Sequence, residues 1–77
     1  MNYDLAVMAL EGMARAPLEI RIQPDGVSIE GSAASMKELA RLCLLLAGEP
    51  EADDAVELTP GTHVTKTSPG LRLRVQM

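Results

Sequence analysis

The residues with the most concentrated chemical potential are acidic. Glu49, Glu51, Asp53, Asp54 and Glu57 put five carboxylates within nine residues, with no base among them. A calcium loop needs the Asp-x-Asp-x-Asp-Gly spacing that bends the backbone around the ion, and that spacing is missing. The cluster therefore reads as a solvated connecting loop or as an electrostatic docking patch that steers a cationic partner. His63 is the single histidine and Cys43 the single cysteine. One imidazole with no cysteine or second histidine beside it builds no zinc site, and without a nucleophile it heads no triad. Ser28, Ser32, Ser35 and Ser68 fall at strand, cap and turn positions that explain them through the backbone. Gly61 and Gly70 follow prolines in turns rather than forming a phosphate-binding loop. The expectation is a protein with no catalytic, metal or cofactor site, and not an enzyme.

Charge and composition narrow the partners. The chain has 77 residues and a formal charge of −4, which disfavours nucleic acid, because phosphate binding rests on Lys and Arg releasing counterions. The hydrophobic share is 47% and the aromatic share 1%, so a core must be assembled from Leu, Val, Ile, Met and Ala. Such a core is soft in a domain this small, and stability is expected to draw on a homodimer or a bound protein. Cys43 reads as a small buried hydrophobe in a reducing compartment. No leader-like opening and no apolar run of about 18 residues is present, so the expected location is cytoplasmic, away from membranes.

The elements that must carry these residues are legible in outline. Residues 32–47 form the clearest helix, with Ser35 and Glu38 in capping-box spacing and Gly48 and Pro50 at its end. On the helical wheel Met36, Leu39, Ala40, Cys43, Leu46 and Ala47 share one side, Leu42 and Leu44 flank it, and Leu45 falls on the wet side with Lys37, Glu38 and Arg41. Residues 2–16 are rich in Ala, Leu and Met and read as a helix ended by Pro17, with Asn2 or Asp4 as cap. An alternating strand through Tyr3, Leu5, Val7 and Ala9 is the alternative. Leu18, Ile20 and Ile22, then Val27 and Ile29, alternate with polar residues about Pro24-Asp25-Gly26, which predicts a hairpin with one dry face. Val56 and Leu58 predict a third strand, and Leu71, Leu73 and Val75 a fourth. Residues 62–67 are either an edge extension or an ordered loop.

The order helix, strand, strand, helix, strand, strand predicts one α+β domain, residues 1–16 forming the first helix and 17–77 a ββαββ core. A four-stranded, mostly antiparallel sheet would carry both helices on one face. Two helices this apolar offer more surface than such a sheet covers. Leu45, with Val7 and Leu10 on the first helix, is the expected apolar contact surface for a second copy or another protein, beside the acidic Glu49, Glu51, Asp53 and Asp54.

From Val27 onward, the strand ending in Gly31, the helix through Leu39-Ala40 and Leu46-Ala47, the strand Val56 to Leu58 and the serine before Leu71 to Val75 resemble a family of small bacterial immunity proteins, immunity protein 32. The resemblance implies a non-enzymatic cytoplasmic antidote that binds and neutralises a cognate toxin, and it supplies no catalytic residue. The alternative expectation is a small structural or regulatory subunit that acts through homo-oligomerisation.

Overall fold

Helix α1 (Tyr3–Arg15) begins where the Asn2 side chain accepts a hydrogen bond from the Leu5 N–H at 3.2 Å, and it ends ahead of Pro17. Residues 1–76 are described by the computed structural model. The remaining elements are β1 (Glu19–Gln23), β2 (Gly26–Glu30), α2 (Ala33–Gly48), β3 (Ala55–Leu58) and β4 (Leu71–Arg74), so the expected α-β-β-α-β-β order holds and residues 3–15 are helix rather than strand.

Helix α2 differs from expectation at both ends. Ser32, not Ser35, is its cap: Ser32 Oγ accepts from the Ser35 N–H at 3.1 Å. Ser35 sits one turn inside, buried, and its hydroxyl donates to the Ala16 carbonyl. A serine that sequence spacing assigns to a local cap thus ties the start of α2 to the end of α1, where the last helical carbonyls lack intrahelical donors. Gly48 is the last helical residue and is not left-handed; the positive-φ glycines are Gly26 and Gly61.

The strands form two separate two-stranded antiparallel sheets, β1-β2 and β3-β4, instead of one four-stranded sheet. The reason lies beside β1. Leu18 donates to the His63 carbonyl at 3.0 Å and accepts from the Thr65 N–H at 2.8 Å, while the Ile20 N–H donates to Ser68 Oγ at 2.9 Å. The segment around Val64 therefore takes the position a third strand would occupy, as turns with a single parallel bridge to Leu18. Residues 62–67 are an ordered loop, and His63 helps shape it by accepting from the Thr59 N–H through Nδ1 at 3.1 Å.

The core joins Ala6, Ala9 and Met13 of α1, Leu42 and Leu46 of α2, Val56 and Leu58 of β3, and Leu18, Ile20 and Val64. Alanines on the buried stripe of α1 let the two helices approach closely. Gly31 lies where the chain enters α2, and a Cβ there would collide with the Cδ2 of fully buried Leu18. The hairpin departs from its predicted dry face. Ile20 is buried, but Ile22 is 71% exposed and Val27 65%, because the outer half of β1-β2 extends beyond anything that could cover it.

The buried face of α2 is also rotated from expectation. Leu42, Leu46 and Ser35 are buried, whereas Cys43, Met36, Ala40 and Ala47 are exposed. Leu45, placed on the wet side by the wheel, is half-buried and packs against the core, and Leu44 is 73% exposed. A helix apolar nearly all round has no periodicity strong enough to fix its rotation, so contact with α1 decides it.

Candidate functional site

The acidic loop leaves α2 at Glu49 and rejoins the fold at β3. Its residues separate into two groups. Glu49, Glu51 and Asp53 are exposed, while Asp54 is only 6% exposed and turns inward. Asp54 Oδ2 accepts from the α-ammonium of Met1 at 3.0 Å, and Oδ1 accepts from the Tyr3 hydroxyl. The expectation that Asp54 faces a partner is thereby corrected: it is an anchor.

This anchor organises the loop. The Met1 ammonium donates a second hydrogen bond to the Glu49 carbonyl at 3.1 Å, the Asp54 N–H closes a turn onto the Glu51 carbonyl at 3.1 Å, and Arg74 Nη2 reaches the Ala52 carbonyl at 3.4 Å. The hydrogen bonds from Tyr3 and from the Met1 ammonium hold the Asp54 carboxyl below its ordinary value. The bond to Asp54 in turn raises the Met1 amine, reinforced by the charges of Asp54, Glu51 and Glu49, against the opposing effect of burial. The Tyr3 hydroxyl is raised for the same leading reason, its hydrogen bond to Asp54. Nothing in the local sequence announces this network, since its carboxylate lies 53 residues from the amine.

The other three acids face solvent. Among the described residues no ion pair involves Glu49, Glu51 or Asp53; Arg21, Arg41 and Arg72 pair with Glu19, Glu38 and Glu57 on their own strands, hairpins or helix. The C-terminal end of α2 adds its negative dipole pole, with no basic residue in the last turn to offset it. Among the described residues, no group of three His, Cys, Asp or Glu side chains converges as a metal site would.

Beside the loop, a shallow cleft of about 310 Å³ opens between the start of α1 and the end of α2, lined by Asn2, Leu5, Leu44, Leu45, Gly48 and Glu49. The predicted apolar contacts are only partly brought here. Leu45 lines the cleft floor, but Leu10 is half-buried against the core, and Val7, though exposed, is not among the lining residues. Leu44, expected as a flank of the Leu45 patch, and Leu5, expected on the other side of α1 from Val7 and Leu10, supply the exposed apolar walls. The arrangement can receive a side chain or segment that is cationic at its tip and aliphatic along its stem. No helix among the described residues is long and apolar enough to cross a membrane.

No family model matches this chain, and neither the curated proteins nor the solved structures contain a detectable match.

Proposed function

We propose that this protein is a non-enzymatic, immunity-type binding protein of the bacterial cytoplasm that captures a basic toxin and blocks it. The observation that carries the reading is an apolar cleft walled by Leu5, Leu44 and Leu45 and bordered by Glu49, from which the chain runs on into the exposed carboxylates of Glu51 and Asp53. The carboxylates and the α2 dipole draw a cationic surface toward the loop and raise the association rate. The cleft then holds an aliphatic or apolar group and slows dissociation. Anchoring through Asp54 reduces the ordering cost of binding, because the loop is tied to Met1, Tyr3 and Arg74 before a partner arrives.

The test uses a basic toxin domain encoded beside this gene. Co-expression should rescue growth, and the two proteins should co-purify. Glu51→Lys with Asp53→Lys should slow association about tenfold at low salt and flatten its salt dependence, while leaving the fold intact. Unchanged association kinetics would remove the loop from the account. A second reading, a structural or regulatory subunit working through homo-oligomerisation, is favoured by the exposed Ile22 and Val27 of the hairpin.

A further inference from the structure

The four strands do not leave equivalent edges. In an antiparallel pair, alternate residues direct both backbone groups toward the neighbour or away from it. Leu18 and Ile20 bond to His63, Thr65 and Ser68 on the side away from β2. Glu19, Arg21 and Gln23 must therefore face β2, where their ladder partners are Glu30, Ser28 and Gly26. It follows that Val27 and Ile29 direct their N–H and C=O groups outward, and among the described residues nothing accepts or donates to them there.

This edge lacks the devices that usually prevent strand-to-strand association. The outer edge of β1 is covered at Leu18 and Ile20 by the loop carrying Val64 and Ser68, which leaves Ile22 alone open on that side. Strand β4 carries Arg72 and Arg74, and β3 carries Glu57 at an exposed position. Strand β2, Gly-Val-Ser-Ile-Glu, has no proline and no lysine, and its one charge stands at its end.

We propose that the outer edge of β2 pairs with the same edge of a second copy, antiparallel about a two-fold axis at Ser28, to give a continuous four-stranded sheet β1-β2-β2-β1. In that register Val27 of each chain faces Ile29 of the other, and their outward groups exchange four N–H to O=C hydrogen bonds. Ser28 meets Ser28 in a close, non-hydrogen-bonded pair that its small side chain admits. Glu30 meets Gly26, so no like charges are opposed. The equivalent pairing of β4 about Leu73 would set Arg72 against Arg74, and that of β3 about Glu57 would set two glutamates together. On one face, Ile22 and Val27 of one chain continue into Ile29 and Ile20 of the next, a row of β-branched residues that covers side chains the monomer leaves in water. The pairing supplies the surface for the homo-oligomeric reading above and rests on that reading for its purpose.

Sedimentation of the full chain should show a concentration-dependent dimer between about 10 and 500 µM, as suits a small interface. Over the same range, hydrogen exchange at the Val27 and Ile29 amides should slow with rising concentration. Ser28→Lys, which opposes two ammonium groups across the axis, should weaken the dimer about tenfold with an unchanged circular dichroism spectrum. An equimolar mixture with Ser28→Glu should restore it as a heterodimer. A dimer that persists in Ser28→Lys and dissociates in Leu44→Glu overturns this interface but leaves homo-oligomerisation standing. A monomer at every concentration, with fast exchange at both amides, overturns both.

Discussion

Truncating Leu42 to alanine tests the rotation of α2, on which the placement of Leu44, Leu45 and the acidic rim depends. Leu42 is fully buried, packed in a core shared with Met13, Leu46 and Val56. Removing three carbons from such a site costs the transfer energy of the lost atoms plus the cavity left behind, about 3 to 5 kcal/mol where neighbours relax little. A chain of 77 residues has a total stability of roughly 4 to 12 kcal/mol, so Leu42→Ala should remove a large fraction of it. At about 4 to 8 °C per kcal/mol for a domain this size, the midpoint of thermal unfolding should fall by about 12 °C or more. Cys43→Ser is the paired control. Cys43 is exposed, so the change should stay within about 0.5 kcal/mol, and the wild-type thiol should react with a disulfide reagent without denaturant. Urea unfolding measures both variants on one scale. A tolerated Leu42→Ala with a destabilising Cys43→Ser, or a thiol that reacts only on unfolding, would restore the helix face expected from the wheel and refute the rotation.

Two further outcomes probe the loop anchor and the entry to α2. Asp54 is depressed below its ordinary 3.8, so its stabilisation is present above that pH and is lost as pH falls through the folded value. The Met1 amine is raised above 8.0, so its share is present below pH 8.0 and is lost as pH rises through the raised value. The anchor's contribution to stability should therefore be flat between these limits and decline on both sides, and Asp54→Asn should lower the plateau and flatten both declines. Identical pH profiles for wild type and Asp54→Asn in urea titrations would dismiss the anchor. Gly31→Ala should destabilise by about 1 to 3 kcal/mol, because the added methyl meets the Cδ2 of a fully buried leucine; a neutral change in thermal unfolding would show that Leu18 can repack.

The alternation of Leu18, Ile20 and Ile22 with Glu19, Arg21 and Gln23, the turn at Pro24-Asp25-Gly26 and the cap Asn2 are local signals. They define which segments become helix or strand, and the element order follows from them. The concentration of charge at Glu49, Glu51 and Asp53 is equally local, and three of the four acids expected at the surface are there.

What depended on tertiary structure was every choice among equally apolar alternatives. Helix α2 offers leucine, alanine, methionine or cysteine on nearly all sides, so its rotation is set by the shape of α1, and Leu45 and Cys43 exchange environments relative to the wheel. Whether four strands share a sheet is decided by which segment occupies the free side of β1, and the loop around Val64 occupies it, with Ser68 accepting from the Ile20 N–H. Asp54 becomes an anchor only because folding brings the Met1 amine and the Tyr3 hydroxyl to it, from the other end of the sequence. Periodicity and capping act within a few residues of one another; rotation, sheet membership and carboxylate pairing are contacts between distant segments, and only the folded chain selects them.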